Sequence, residues 1–251
     1  MQAAGHAGRG DQRELHMKKI DFEYGLFGKL RAAAAEDWDA YVRHPFVRQL
    51  GTGELPQPCF RRFLTQDYLF LIHFARAYAL LAYKGGSIEE VRSATRSLNA
   101  IIDELPVHVG YCTSWGLTED MMAAEPEAPE TMTYTRFVLD AGLSGDILDL
   151  MVALIPCVAG YGEIGQILMS EDTTVLEGNP YGDWLRNYEG EHYLQSVQDA
   201  INALDTIGQR RGAEARFDQL LAIFRTATRL EANFWQMGLN AGPSTLLDAA
   251  E

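Results

Sequence analysis

LDLMVALIPCVAGYGEIG, residues 148–165, predicts a long buried helix around which the rest of the chain is organised. It places Cys157 inside an otherwise apolar run, with the aromatic hydroxyl of Tyr161 one turn later. A free cysteine in such a setting is ordinarily a small apolar core residue. A reactive thiol would also need a group that exchanges protons, a carboxylate that orients the substrate, and a pocket. The remaining residues therefore decide between a structural and a catalytic cysteine.

Helical periodicity recurs along the chain between breaks that are rich in glycine and proline. No segment shows the alternation of a strand, no internal repeat is evident and no linker divides the sequence. The pattern predicts a single all-α domain over residues 20–242, a bundle of seven or eight helices. Residues 1–19 are predicted to be a disordered extension, and residues 243–251 a frayed tail. The longer predicted helices are 22–44, 59–84, 87–112, 131–142, a helix capped by Ser144 that ends near residue 170, 191–207 and 214–242.

The composition excludes several classes of function. The chain carries 35 Asp and Glu against 21 Lys and Arg, whereas a partner such as nucleic acid or an anionic membrane requires a basic surface. Its three cysteines form no CxxC and no Cys/His cluster at zinc spacing, which favours free thiols in a reducing compartment. Residues 1–19 lack the apolar segment of a signal peptide, and the longest nearly uncharged run, 150–162, is too short to span a bilayer. We expect a soluble cytoplasmic protein.

Two carboxylates interrupt long apolar helices: Asp67 and Glu231. An unpaired carboxylate is costly to bury, and its pKa rises in response. Each could be structural: Asp67 could act as a cap or pair with Arg62 or Arg76, and Glu231 could be solvated or paired with Arg229. Each could instead belong to a site, since perturbed carboxylates concentrate at functional sites. Spacing alone leaves both interpretations open.

Five segments occur in the order and at the intervals of one known family. They are HPFVRQLGTGELP (44–56), FLTQDYLFLIHFAR (63–76), YTRFVLDAGLSGD (134–146), LIPCVAGYGEIG (154–165) and LEANFWQMG (230–238). No single segment is decisive, but together they resemble the TenA/thiaminase II family over residues 26–242. Because the chain has the cysteine of LIPC, it is similar to the cysteine-containing subset of that family.

The resemblance implies a helical fold like that of haem oxygenase, without haem or another cofactor and without a metal, assembled as a homotetramer. It also implies an aminopyrimidine aminohydrolase or thiaminase II, which hydrolyses an aminomethyl aminopyrimidine, or thiamin, to hydroxymethylpyrimidine. Matched residue by residue, the nucleophile falls on Cys157, the acid/base on Glu231, and the carboxylate that holds the aminopyrimidine edge on Asp67. The other substrate-binding residues that the match implies are Tyr134, Tyr161, Tyr188, Phe70 and Phe234. Phe70 stands where some relatives have tyrosine, so one hydroxyl is missing from the implied pocket.

Two competing interpretations start from other features. Glu104 and His108 are an i, i+4 pair that could bind metal, and related helical folds include cofactorless oxidases and di-iron enzymes; a di-iron site needs several such inward-facing ligands. A non-enzymatic regulatory protein is the other alternative. The net charge of −14 and the absence of a basic recognition helix in the sequence argue against direct DNA binding by such a regulator.

Overall fold

The computed structural model describes residues 20–241, which fold into eleven α-helices and contain no strand. The all-α prediction is confirmed. The predicted extension (1–19) and tail (243–251) lie outside the described residues, as does Gly242. The helices are α1 (Gly25–Ala33), α2 (Ala35–Val42), α3 (Pro45–Thr52), α4 (Gln57–Lys84), α5 (Ile88–Ser114), α6 (Glu119–Ala124), α7 (Pro129–Ser144), α8 (Ile147–Ser170), α9 (Gly182–Glu189), α10 (Glu191–Arg210) and, after a 3-10 turn (Ala213–Arg216), α11 (Phe217–Leu239).

Helix α8 is the centre of the bundle, packed against α2, α4, α7, α9, α10 and α11. Its two acidic residues are buried and paired. Glu163 accepts hydrogen bonds from Arg31 Nε at 2.8 Å and from Trp38 Nε1 at 2.9 Å, while Asp149 is bonded to Arg216. By length and composition α8 could cross a membrane, but 83% of its most apolar window is buried inside the protein. The prediction of a long buried helix is confirmed, and its apolar character serves the core.

The cap predicted for α8 is wrong: Asp146, and not Ser144, begins the helix. The Asp146 carboxylate accepts from the backbone N–H groups of Leu148 at 2.9 Å and Asp149 at 3.2 Å. In return the Asp149 carboxylate accepts from the Asp146 N–H at 2.8 Å, which completes a capping box. Ser144 is instead the last residue of α7, and its hydroxyl donates to the Asp140 carbonyl of that helix.

The number of helices was underestimated because tertiary contacts divide predicted segments. Predicted helix 22–44 breaks at Ala34, whose φ of −110° and ψ of 23° leave the helical region. Next to the break, the Ala33 carbonyl accepts a hydrogen bond from Arg225 of α11. The short helix α3 was not predicted; Pro45 occupies its first turn, and His44 caps it by accepting from Phe46 N–H at 3.2 Å.

The observed ends of the C-terminal helices also differ from the predicted ends. The predicted helix 214–242 starts later, at Phe217, because the 3-10 turn precedes it, and it ends at Leu239. Predicted helix 191–207 continues to Arg210. Neither change affects which helices meet: α4, α7, α8 and α11 pack on one another, and α9 packs on α8. These five helices carry all the residues that the sequence assigns to the site.

Candidate active site

Glu231 lies at the centre of the site, on α11, with 2% of its surface exposed. Its Oε1 accepts a hydrogen bond from the Tyr134 hydroxyl of α7 at 2.7 Å. Burial raises the pKa of Glu231 to about 7; hydrogen bonding by Tyr134, Cys157 and Tyr41 opposes the rise, and the charge of Asp67 adds to it. The carboxyl can therefore gain or lose a proton near neutral pH, as a general acid/base requires.

Cys157 differs from the other two cysteines in its contact with solvent. It is partly exposed, whereas Cys59 and Cys112 are buried, and all three are free thiols. Its position deep in the bundle raises the pKa of the Cys157 thiol well above its ordinary value, and the negative charges of Glu231 and Asp67 raise it further. The resting group is therefore a thiol, which needs a neighbouring base such as Glu231 before it can act as a nucleophile.

Asp67 lies on α4, 9% exposed, beside a histidine of α5. The neighbouring histidine is His108, whose Nδ1 is 3.7 Å from Asp67 Oδ2, while its Nε2 is 3.4 Å from the Leu64 carbonyl oxygen. Burial raises the pKa of Asp67 to about 6; His108 lowers it and Glu104 raises it. This carboxyl is therefore ionised at a lower pH than Glu231 and can accept a hydrogen bond while Glu231 still carries its proton.

The arginine partners considered for the two carboxylates are engaged elsewhere. Arg62 pairs with Glu125 at 2.6 Å, and Arg229 pairs with Asp37 at 2.9 Å. Arg76 is exposed and lies beside His73, 3.3 Å from Nδ1. The interpretation of Asp67 and Glu231 as arginine-paired carboxylates is thus wrong, because none of the three arginines neutralises either carboxylate.

Aromatic rings line two sides of the cluster. On one side Phe70 packs against Tyr134, with ring centroids 5.0 Å apart and ring planes tilted by 30°, and lies 5.7 Å from Phe234. On the other side Tyr161 and Tyr188 lie 5.0 Å apart. The five rings come from α4, α7, α8, α9 and α11, so the structure brings together the five aromatic side chains that the resemblance assigns to substrate binding. Paired aromatic faces suit a flat heteroaromatic ring.

Sequence reasoning missed four neighbours of the cluster. Trp184 and Trp235 extend the second aromatic side, 4.6 Å from Tyr188 and 5.3 Å from Tyr161 respectively. The other two are Tyr41, a fully buried residue of α2, and His108, which the sequence offers as a metal ligand and the structure places beside Asp67. Their helical pattern is that of core residues, and no local signal places them beside the site.

A metal site has no support from the described residues. Among the residues whose side chains the structure describes, no group of three or more His, Cys, Asp or Glu is arranged to hold a metal ion. Glu104 and His108 instead act on Asp67, as described above. The surface hollows at residues 214–219 and at 102–109 are lined by other side chains and lie outside the cluster.

Comparison with known proteins relates the chain to one family. The sequence model of the TENA/THI-4/PQQC family matches residues 31–241. An aminopyrimidine aminohydrolase of Halalkalibacterium halodurans is 32% identical over 211 residues, 81% of this chain and 90% of that protein. Among solved structures, a protein of Silicibacter sp. TM1040 described as a TenA family transcription regulator superposes with a TM-score of 0.80; it is 44% identical, over 87% of this chain and 98% of that one.

Structural similarity extends to a protein with little sequence similarity. A domain of Shewanella denitrificans OS217 with a haem oxygenase-like fold superposes with a TM-score of 0.68, over 84% of this chain and 91% of that one. At 15% identity it bears on the fold alone. The expected haem oxygenase-like bundle is confirmed.

Proposed function

The chain belongs to the TENA/THI-4/PQQC family, and we propose that it is a thiamin-salvage hydrolase that converts an aminomethyl aminopyrimidine and water to hydroxymethylpyrimidine and ammonia. The observation that carries the proposal is the placement of Glu231 between Tyr134 and Cys157, with Asp67 and two aromatic sides around them. Relatives named aminopyrimidine aminohydrolase, 29–32% identical over most of the chain, support the same assignment.

Recognition of the substrate uses the two carboxyls in different protonation states. A 4-aminopyrimidine presents an amino group beside ring nitrogens. Ionised Asp67 accepts a hydrogen bond from the amino group, and protonated Glu231 donates to a ring nitrogen. Because the pKa of Asp67 is about 6 and that of Glu231 about 7, both states coexist in a window close to neutral pH.

Covalent catalysis then proceeds through Cys157. Glu231 gives its proton to the ring nitrogen and takes the thiol proton in exchange, so the sulfur adds to a ring carbon made electrophilic by protonation. Electrons of the adduct expel the exocyclic amine, which takes the former thiol proton from Glu231 and leaves as ammonia. Water then adds to the methylene carbon and gives a proton back to Glu231. Release of the thiolate restores the aromatic ring and returns the proton to sulfur through Glu231. With thiamin, the thiazole is the leaving group in place of ammonia.

The test compares four proteins on two substrates. Wild type, Cys157→Ala, Glu231→Gln and the control Cys59→Ala are incubated with aminomethyl aminopyrimidine and with thiamin, and hydroxymethylpyrimidine is followed by chromatography. Cys157→Ala should lose at least about a thousandfold in rate, and Glu231→Gln about 10²–10⁴-fold. Cys59, which donates to the Leu239 carbonyl away from the site, should be dispensable for turnover. No product from either substrate with wild type would refute the proposal.

A second measurement isolates the proton exchange between Glu231 and Cys157. Alkylation of Cys157 by iodoacetamide, followed by mass spectrometry of its peptide, should be faster in wild type than in Glu231→Gln. The reason is that glutamine cannot accept the thiol proton, and we expect the loss of this base to outweigh the lower thiol pKa that follows when the Glu231 charge is removed. Equal alkylation rates would show that Glu231 does not activate the cysteine.

We further propose a homotetramer in the reducing cytoplasm. Tyr83 and Leu143 are large apolar side chains with 86% and 70% of their surfaces exposed. A hydrogen bond from Lys84 Nζ to the Gly145 carbonyl, at 2.8 Å, joins the ends of α4 and α7 that carry them. An exposed apolar patch of this kind is typical of an interface between subunits. Three free cysteines suit a compartment in which disulfides do not form.

A regulatory role is the competing proposal, since the Silicibacter relative is described as a transcription regulator. It predicts that a folded Cys157→Ala protein keeps its cellular effect. Loss of that effect together with loss of turnover would favour the hydrolase. The net charge of −14 makes direct binding to DNA the least favoured form of regulation.

A further inference from the structure

Gln66 of α4 is a fully buried glutamine whose amide is bonded to α7 and to the connection before it. Its Oε1 accepts from the backbone N–H of Ala128 at 2.8 Å and from the hydroxyl of Thr131 at 2.7 Å. Its Nε2 donates to the carbonyl of Pro126 at 3.0 Å. Because a backbone N–H must face the amide oxygen and a carbonyl must face the amide nitrogen, these partners give the side chain one orientation.

The start of α7 is held by this amide, since the helix has no cap of its own. Ala128 precedes the first turn, and alanine has no side-chain oxygen that could accept from the N–H groups of that turn. Pro129 follows it and has no N–H to donate. In the connection before α7, Glu125 is bonded to Arg62 at 2.6 Å, and Arg62 lies one turn before Gln66 on α4. One face of α4 therefore holds both the connection and the first turn of α7.

Thr131 links this attachment to the reaction centre. It is fully buried, and its Oγ1 also lies 3.8 Å from Met237 Sδ of α11, the helix that carries Glu231. Tyr134 follows Thr131 by three residues, so the two side chains share one face of α7. The Tyr134 hydroxyl donates to Glu231 Oε1 at 2.7 Å. A shift of α7 by about 1 Å away from α11 would take that hydroxyl out of hydrogen-bond range.

We infer that Gln66 is a positioning residue of the reaction: by holding the first turn of α7 against α4, it sets the distance between the Tyr134 hydroxyl and the Glu231 carboxyl. This inference rests on the proposed hydrolase function. The amide of Gln66 is committed to α7, so it acts through Thr131 and Tyr134 and not on the substrate. Its neighbour in sequence, Asp67, is the carboxylate proposed to hold the amino group. Two consecutive residues of α4 therefore serve the two carboxyls of the site.

Thr228 of α11 offers a matched control for Thr131. Both threonines are fully buried, and each lies three residues before a residue of the site, Tyr134 or Glu231. The hydroxyl of Thr228 donates at 2.8 Å to the Phe224 carbonyl of its own helix. Replacing either threonine by valine removes one hydroxyl at nearly constant shape. Only Thr131→Val removes a hydrogen bond between two helices.

The pH dependence of turnover distinguishes positioning from packing. The titratable groups around Glu231 lie on four helices: Tyr41 on α2, Asp67 on α4, Tyr134 on α7, and Cys157 and Tyr161 on α8. A hydroxyl that donates to a carboxylate favours the ionised form, so a weaker bond from Tyr134 should raise the pKa of Glu231 above about 7. The alkaline limb of the kcat/KM profile, where Glu231 loses its proton, should then move to higher pH.

The experiment measures kcat and the pH profile of kcat/KM for hydroxymethylpyrimidine formation by wild type, Gln66→Met, Thr131→Val and Thr228→Val. Gln66→Met should lower kcat by about tenfold and move the alkaline limb up by about half a pH unit. Thr131→Val should have a smaller effect of the same kind, and Thr228→Val should match wild type. An active wild type whose kcat and alkaline limb are unchanged in Gln66→Met would overturn the inference and leave the hydrolase intact. A wild-type protein that forms no product would instead refute the proposed function.

A double-mutant cycle with Tyr134→Phe tests whether Gln66 acts through the tyrosine hydroxyl. If it does, Gln66→Met should shift the alkaline limb of wild type but add no further shift to Tyr134→Phe. Equal shifts in the two backgrounds would show that Gln66 supports the fold in general, and the inference would be wrong.

A measurement without substrate covers a variant that is folded but inactive. The infrared band of the protonated Glu231 carboxyl is identified as the band that Glu231→Gln lacks. Its titration midpoint should be higher in Gln66→Met and Thr131→Val than in wild type, and unchanged in Thr228→Val. Thr131→Val removes a single bond, so it decides the question if Gln66→Met does not fold. An unshifted midpoint in folded Thr131→Val would show that the attachment of α7 does not control the acid/base.

Discussion

Asp67 and Glu231 are both buried acidic residues, yet their neighbours give them different roles. Asp67 has His108 3.7 Å away, and the positive charge of a histidinium would favour the carboxylate. Glu231 is surrounded by hydroxyl and thiol groups and lies within the field of Asp67. Two carboxyls whose environments separate their pKa values are the usual way for one site to hold a base and an acid at the same pH.

The pH profile of turnover should reflect this separation. We expect kcat/KM to rise as Asp67 ionises near pH 6 and to fall as Glu231 loses its proton near pH 7, giving a narrow bell whose limbs belong to the coupled group. His108→Gln removes the group that lowers the pKa of Asp67, so the acidic limb should move to higher pH. His73→Gln, next to Glu127 and Arg136, is the control. A profile that is flat between pH 5 and 8 would contradict these roles.

Stability should also depend on Glu231. Its pKa is about 7 in the folded protein against 4.5 ordinarily, so between these values the native state binds more protons than the unfolded state and stability falls as the pH rises. Glutamine keeps the acceptor for Tyr134 but does not titrate. The stability of Glu231→Gln relative to wild type should therefore increase by about 2–3 kcal/mol from pH 5 to pH 8. Urea unfolding at both pH values measures this; a constant difference would show that Glu231 has an ordinary pKa.

At the scale of one element, α8 is an apolar core helix that also contains two acidic residues and a proline. It must be apolar to form the core, yet it carries Asp149 and Glu163, and both are paired with arginines from distant helices. Pro156 lies within it although proline has no N–H to donate, and the helix continues through it. The close approach of Tyr41 depends on Gly160, because any side chain there would occupy the position of the ring.

Two glycine substitutions test this arrangement. Gly160→Ala places a methyl group on a packed aromatic ring and should destabilise the protein by about 2 kcal/mol or more. Gly110→Ala, on exposed helix α5 where nothing lies within 4 Å, should stabilise by about 0.5–1 kcal/mol through helix propensity. Denaturant unfolding compares the two. A tolerated Gly160→Ala would mean that the ring of Tyr41 can move away from α8.

Local pattern predicted the elements better than it predicted their ends and their polar partners. The apolar run of α8 and the long helix α4 follow from periodicity and from breakers on either side. Ser144 and Asp146 are equally good caps by type, and the choice depended on where α7 ends. The break at Ala34 sits beside a hydrogen bond from Arg225, far along the chain. Periodicity cannot report contacts between residues so distant in sequence.

The site residues were predicted by combining local sequence pattern with the family resemblance. Local physics identified Asp67, Cys157 and Glu231 as polar groups in apolar helices, but the resemblance to the TenA/thiaminase II family joined them into one site. The structure adds what neither source contained: His108 beside Asp67, and Tyr41 beside the backbone carbonyl of Pro156, the residue before Cys157. Both lie on helices whose apolar pattern is fully accounted for by packing. A functional side chain on such a helix has no sequence signal of its own.

At the scale of the whole molecule, the exposed patch of Tyr83 and Leu143 should decide the assembly. We expect light scattering to give about four times the chain mass of 28.0 kDa for wild type. The double variant Tyr83→Lys, Leu143→Lys should give a smaller species with unchanged helical circular dichroism, because charge at the centre of an apolar interface prevents its burial. Tyr24→Lys, at another exposed aromatic residue, is the control. A monomeric wild type would refute the tetramer.

The tryptophan side chains near the cluster should allow ligand binding to be followed by fluorescence. Trp235 is fully buried, and its Nε1 has no hydrogen-bond partner among the described residues, so its fluorescence should be blue-shifted. Trp184 is 4.6 Å from Tyr188, and Trp235 is 5.3 Å from Tyr161. The other two tryptophans, Trp38 and Trp115, stack on Phe224 and Tyr181. A ring that binds against Tyr161 and Tyr188 would quench Trp184 and Trp235 more than Trp38 and Trp115, so binding to Cys157→Ala can be titrated by intrinsic fluorescence without a label.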